Sequence, residues 1–177
     1  MSEKKTAQSK DNFFKNFVQI GVVVDDLDKS IHNLKEIFGI GPFRVIDWPP
    51  EDRSDIKKYY YGEPGEFTAR MAFTELGPVE LELIQPVSGK SIWGDFLRES
   101  GGGVHHIRFN VDDIETVQSY LDDYGITPAQ HGSGIRPGTI WMNFATKDKV
   151  GFIIEIMNVL PGTDGRTPQI VDRKVIT

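Results

Sequence analysis

The sequence predicts an α+β fold built from two equivalent strand–helix–strands units, on three observations. The run Val18-Gln19-Ile20-Gly21-Val22-Val23-Val24-Asp25-Asp26-Leu27 aligns with His105-His106-Ile107-Arg108-Phe109-Asn110-Val111-Asp112-Asp113-Ile114, with an offset of 87 residues that slips to 86 between Gly39 and Gly125. A weaker echo pairs Leu81-Glu82-Leu83-Ile84 with Ile154-Glu155-Ile156-Met157 at an offset of 73. Between these matching ends, apolar spacing changes from strand-like to helical and back in the same order in both halves.

Taken in order, the β-branched run around Val18–Val24 reads as a strand, and Asp25/Asp26 offer N-cap oxygens to a helix carrying Leu27, Ile31, Leu34 and Phe38 on one face. Gly39 sits where a helix C′ glycine belongs. The segment from Pro42 to Pro64, rich in Trp, Tyr, Pro and Asp, reads as an insertion mirrored only loosely at Thr127 to Gly138. Thr68 to Thr74 and Val79 to Ile84 are strand-like. Ser91 to Arg98 reads as a short helix capped by Ser91, and Gly101-Gly102-Gly103 as a joint into the second half. There the order repeats: a strand to Val111, a helix with Ile114, Val117, Leu121 and Tyr124 closed by Gly125, then strands over Thr139 to Ala145 and Gly151 to Met157. The expected organisation is a polar segment 1–15, a first module 16–90, a linker helix and glycine joint 91–103, a second module 104–160 and a tail 161–177.

Composition limits the function classes. The chain has 177 residues, 38% hydrophobic and 26% charged, with a formal net charge of −6, enough for one soluble domain with a sizeable core. With 20 Lys+Arg against 26 Asp+Glu and no long basic run, it lacks the electrostatic footprint of a nucleic-acid binder. No apolar stretch approaches the ~18–20 residues that span a bilayer, and the polar start carries no apolar targeting core, so a cytoplasmic protein without a membrane partner is expected. The absence of cysteine excludes disulfides, thiolate nucleophiles and Cys-held metals, leaving His, Glu, Asp and amide oxygen as possible ligands.

Alternate strand residues share a face, so His106, Arg108 and Asn110 lie together while His105, Ile107, Phe109 and Val111 face the helices. Gln19 is the repeat-mate of His106, and Glu82 and Glu155 each interrupt an apolar strand. One such Glu alone reads as the solvent face of a half-exposed strand. Two carboxylates, an amide and an imidazole at repeat-related positions instead converge on one point if the halves pack as pseudo-symmetric copies, which makes a plausible divalent-metal site. His32 and His131 read as surface or loop residues, and Gly132 to Gly138, lacking a strand-to-helix context, as a flexible cavity edge rather than a phosphate loop.

On these motifs, over about Phe17 to Asn158, the sequence resembles the vicinal oxygen chelate superfamily of glyoxalases, bleomycin-resistance proteins and dioxygenases. It is most similar to the methylmalonyl-CoA epimerase branch through Gly21-Val22-Val23-Val24-Asp25-Asp26-Leu27-Asp28-Lys29-Ser30, Glu82-Leu83-Ile84-Gln85-Pro86 and Gly102-Gly103-Val104-His105-His106-Ile107. The resemblance implies two pseudo-symmetric βαβββ modules forming a curved mixed sheet around a central metal-binding cavity. Carried over residue by residue, the metal ligands fall on Gln19, Glu82, His106 and Glu155, for Zn, Co, Ni, Mn or Fe. The epimerase branch has His at the position of Gln19, and its catalytic carboxylate position falls near Arg70 and Met71; the Gln, Glu, His, Glu set is similar to that of one class of glyoxalase I. Loss of the first-strand His speaks against an extradiol dioxygenase, whose iron is held by two His and one carboxylate.

The implied chemistry is proton transfer at a carbon next to a carbonyl, with a metal-stabilised enolate and Glu82 and Glu155 as the catalytic pair. Return of the proton to the same carbon makes a metal-dependent epimerase or racemase acting on an acyl-CoA or an aromatic carbonyl compound; return to the neighbouring carbon makes a glyoxalase-I-like lyase. A metal-free small-molecule binding protein is the third reading. Arg108 and Arg70 are candidates for holding a substrate anion, and Trp48, Trp93 and Trp141, with Tyr59-Tyr60-Tyr61, for an aromatic wall. A homodimer is expected, as homodimers are common among soluble oligomers.

Overall fold

The computed structural model describes residues 13–163 and 175–176, the last two by backbone alone. The segment 1–15 and the tail 161–177 therefore lie largely outside the described residues. One eleven-stranded mixed sheet carries the fold, curled into a half-barrel. The first half supplies β1 (Asn16–Val23), α1 (Leu27–Phe38), β2 (Phe43–Trp48), β3 (Lys58–Tyr60), β4 (Glu63–Pro64), β5 (Thr68–Leu76) and β6 (Val79–Ser88). After α2 (Ile92–Ser100), the second half supplies β7 (Gly103–Val111), α3 (Ile114–Asp122), β8 (Pro128–Ser133), β9 (Ile140–Phe144), the single turn α4 (Lys147–Val150) and β10 (Ile153–Asn158); β11 (Val175–Ile176) pairs with β2.

The strand order β11-β2-β5-β6-β1-β7-β10-β9-β8-β3-β4 displays the repeat. In each half the first and last strands run parallel, β1 with β6 and β7 with β10, and the halves join through antiparallel β1 and β7. Curvature brings distant strands together: Trp48 of β2 and Trp141 of β9 have ring centroids 5.8 Å apart. Apolar packing divides accordingly. Leu27, Ile31, Leu81 and Leu83 join α1 to the outer face of the first half, and Val117, Leu121, Phe144 and Ile156 join α3 to that of the second. A third cluster, including Val23, Met71, Ile84, Trp93 and Trp141, fills the concave side.

The expected caps are present. Asp26 Oδ1 accepts from Lys29 N at 2.9 Å, Asp113 Oδ1 from Thr116 N at 3.0 Å and Ser91 Oγ from Gly94 N at 3.1 Å, each worth about 1 kcal/mol. Gly39 closes α1 in the left-handed region, but α3 ends at Asp122, which leaves Tyr124 outside the helix and exposed.

The insertion is smaller than expected. β2 is the counterpart of β8 and belongs to the repeat, so only the stretch from 49 to 64 is additional. That stretch leaves the first half and pairs its β3 with β8 of the second. Here Tyr59 stacks on His131 with centroids 4.5 Å apart, which places His131 on a strand, half-buried, with burial pushing its pKa down.

Tyr60 Oη donates to Asp95 Oδ2 at 2.6 Å and ties the same hairpin to α2. That hydrogen bond, with burial adding to it, pushes the phenol up to about 12. The native pKa is raised, so the contact contributes its full stability below pH ~10 and loses it as pH rises through about 12. Absorbance titration at 295 nm should show one late-ionising phenol, lost in Tyr60→Phe and returned to the ordinary range in Asp95→Asn; a wild-type curve unchanged by both would contradict the contact.

No helix among the described residues is long and apolar enough to cross a membrane.

Candidate functional site

The four central strands, β6-β1-β7-β10, line up inward-facing polar residues. Register places Glu80 beside Gln19 and Gln19 beside Arg108, which in turn pairs with Glu155; one step along, Glu82 pairs with Gly21 and Gly21 with His106. Alternation sends Leu81 and Leu83 to α1 and leaves the carboxylates on the concave face. Gln19, Glu82, His106 and Glu155 are all buried there.

The four side chains meet at one atom. His106 Nε2 lies 3.4 Å from Gln19 Oε1, 3.4 Å from Glu82 Oε2 and 3.6 Å from Glu155 Oε2. On the other side of the ring, His106 Nδ1 is 3.1 Å from His105 Nδ1. Burial, helped by His106 and Lys147, holds His105 well below the usual imidazole range and hence neutral. The Nδ1–Nδ1 contact, whichever ring donates, sets the imidazole so that His106 turns Nε2 toward the three oxygens.

Gln19 is oriented in the same manner. Its Nε2 donates to Glu80 Oε1 at 2.7 Å, which aims Oε1 at His106. Glu80, 1% exposed, also receives Arg44 Nη2 at 3.0 Å and has Arg108 Nη2 at 3.7 Å. Glu155 Oε2 accepts from Asn143 Nδ2 at 2.7 Å, whereas the strand partner of Glu82 is Phe73. Burial pushes the Glu82 carboxyl up, against the opposing pull of His106. For His106, burial favours the neutral form, but Glu155 and Glu82 outweigh it and the net shift is upward.

Arg44 and Arg108 offset Glu80, which leaves Glu82 and Glu155 gathered on His106 Nε2 as the pair a cation or a protonated imidazole would balance. A divalent cation fits the donor set. Ligand atoms each ~2.1 Å from one ion stand roughly 3.0 Å apart in octahedral and 3.4 Å in tetrahedral arrangement, and the distances to His106 Nε2 fall at or just above the tetrahedral figure. Among the described residues, no three His, Asp or Glu side chains are already drawn into a metal cage.

Gly21 makes the arrangement possible. A Cβ built there would stand 2.0 Å from His106 Cε1 and 2.3 Å from Nε2, so the imidazole occupies the space a side chain would need.

Above the cluster opens a cavity of about 670 Å³, solvent at its mouth included. Glu82, Glu155 and Arg108 form its polar floor, and Trp48, Trp93 and Trp141 much of its wall. Trp93 and Trp141 stack with centroids 5.7 Å apart, and Trp48 meets both rings edge to face. Two expectations need correction. Arg70 lies on the opposite face of β5 from Met71 and forms a two-pronged bond with Asp28 of α1, at 2.9 and 3.0 Å, outside the cavity. The tyrosine run does not line the cavity either: Tyr59 stacks on His131, Tyr60 binds Asp95 and Tyr61 is exposed. Sequence reasoning missed Glu80, whose signal was its place two residues before Glu82, and Gly21, the repeat-mate of Arg108. It also missed Asn143, a lone amide within an apolar strand.

Fold and cluster together define a paired-module α+β protein with a polar centre at the seam between its repeats. The family model described as the Glyoxalase/Bleomycin resistance protein/Dioxygenase superfamily matches residues 18–145, and the chain belongs to that superfamily. Among solved structures, a hypothetical protein from Bacillus halodurans C-125 superposes with a TM-score of 0.61 at 19% identity, covering 84% of this chain and 97% of the other. Methylmalonyl-CoA epimerase from Mycobacterium tuberculosis gives 0.60 at 17% identity, covering 87% and 94%. A Streptomyces coelicolor methylmalonyl-CoA epimerase variant in complex with 2-nitronate-propionyl-CoA gives 0.58 at 21% identity, covering 84% and 96%. At these identities the likeness is one of fold. A search of curated protein sequences returns no match.

Proposed function

We propose that the chain is a metal-dependent epimerase or racemase that moves a proton at a carbon next to a carbonyl. The observation that carries this reading is the meeting of Gln19, Glu82 and Glu155 oxygens around His106 Nε2 at the floor of an apolar cavity. Gln19, Glu82, His106 and Glu155 would hold the ion. A divalent cation bound there supplies a Lewis acid toward a substrate carbonyl oxygen.

The chain's own groups do the rest. Glu82, which lacks an amide donor like the one Asn143 gives Glu155, is assigned as the base that removes the proton from the substrate carbon. Glu155, held by Asn143 and loaded beforehand with a proton from solvent, gives that proton to the opposite face of the carbon, and Glu82 releases the one it took back to solvent. His106 anchors through Nε2 with its ring set by His105, and Gln19 presents its carbonyl oxygen because Glu80 holds its amide nitrogen. The tryptophan wall positions the substrate and keeps water from the reacting carbon. An acyl-CoA or aromatic carbonyl substrate, homodimeric assembly and a cytoplasmic setting belong to the same reading, and the epimerase neighbours lend the first of these some support.

A second reading, a metal-free binding protein, is favoured by the largely apolar, tryptophan-walled lining of the cavity. Elemental analysis of protein purified without added metal separates the two. The proposal expects about one divalent ion per chain, lost in His106→Ala with the fold retained by circular dichroism. Metal-free wild-type protein that also fails to take up Zn, Co, Ni, Mn or Fe on dialysis would favour the binder.

A further inference from the structure

The cavity lining carries a cation that the chemistry above does not use. Arg136 lines the cavity, half-buried, and has no carboxylate partner among the described residues. The other arginine of the cavity, Arg108, lies against Glu80.

Its backbone is fixed more firmly than the glycine content of this loop suggests. Arg136-Pro137-Gly138-Thr139 forms a turn in which Thr139 N donates to Arg136 O at 3.1 Å, with Pro at the second position and Gly138 at φ 84° at the third, the requirements of a type II turn. Thr139 Oγ1 also donates to Arg136 O, at 2.6 Å, and Asn158 Nδ2 to Gly138 O, at 3.1 Å. Arg53, from the stretch that crosses between the halves, donates to Gly134 O at 3.3 Å and to Ile135 O. A loop expected to be a flexible edge is thus fastened on both sides, while the arginine it contributes to the cavity lining has no carboxylate partner among the described residues.

We infer that Arg136 is a substrate-binding residue, and that the ligand of this cavity has a flat apolar body with a carboxylate-type anionic group away from its reacting carbonyl. This deepens the proposed function and rests on it for the identity of the reacting end. The body of the ligand packs on the indole wall, its carbonyl end reaches Glu82 and Glu155, and its anionic end meets Arg136 through charge-assisted hydrogen bonds, which the planar fork of arginine suits. A neutral ligand of the same shape would leave Arg136 unpaired.

All three tryptophans of the chain line this one cavity, so their emission reports its occupancy without any turnover. The probes are 3-phenylpropanoate and its neutral counterpart 3-phenylpropanamide, titrated into the protein as purified and again after EDTA, so that a carboxylate–metal contact cannot produce the preference. The expected result is binding of the carboxylate at least about tenfold tighter than the amide, a preference abolished by Arg136→Gln and partly kept by Arg136→Lys. Equal affinities, no response to either probe, or a preference that survives Arg136→Gln would overturn the inference. If the preference holds while the metal-loaded protein catalyses no solvent exchange, the enzymatic reading fails and the anion site stands.

Discussion

Glu82→Gln is expected to slow solvent-proton exchange at the substrate carbon by about 10²- to 10⁴-fold, the usual contribution of a positioned general base. The substitution keeps shape and volume but removes the lone pair that takes the proton. It should not unfold the protein, because Glu82 is buried beside Phe73 and its ionised form is disfavoured there, so a neutral amide relieves that cost. In metal-free protein the melting temperature should hold or rise, whereas in metal-loaded protein part of the stabilisation by the ion should be lost as exchange collapses. Glu155→Gln should also lower exchange but leave Asn143 with a poorer acceptor, so its melting temperature should fall. Exchange at full rate in both variants would rule out the two-carboxylate scheme.

Gly21→Ala carries the second large effect. The added methyl would lie 2.0 Å from His106 Cε1, far inside van der Waals contact, and the neighbouring backbone is a central strand that cannot retreat. The imidazole must therefore swing away, separating Nε2 from the Gln19, Glu82 and Glu155 oxygens and straining its contact with His105. The fold should survive with an overpacking cost of ~1–3 kcal/mol. Metal affinity should fall by at least the roughly 10–100-fold that follows removal of an outer-shell partner. A folded Gly21→Ala protein that binds metal like the wild type would show that His106 does not sit across this glycine.

The repeat was the most legible feature of the chain, because the two halves reuse the same physical solution: a β-branched strand, an Asp cap and an amphipathic helix. Repeat-related placement alone also brings Gln19, Glu82, His106 and Glu155 together, since a pseudo-twofold relation between β1 and β7 makes them neighbours. What stayed hidden depends on contacts that local pattern does not encode. β2 ends in the bulky, proline-flanked Trp48 and reads locally as part of a loop, though its residues pair in register with β5. The crossing of β3 to β8 is a long-range pairing between halves, with no local signature. Arg70 was grouped with the site by its position along the chain, but strand alternation turns it toward Asp28. Arg136 lay in a stretch read only for its glycines, whose role is to hold a turn rather than to loosen one.

The most direct test of the central claim is deuterium wash-in from D₂O, followed by proton NMR, across chiral 2-substituted acyl-CoA and aromatic carbonyl compounds with metal-loaded protein. The account predicts incorporation at the carbon next to the carbonyl for at least one compound, with loss of its chirality, abolished by EDTA and restored by adding the divalent ion back. Exchange that is indifferent to chelation, or no exchange with any compound by a fully metal-loaded protein, would contradict it.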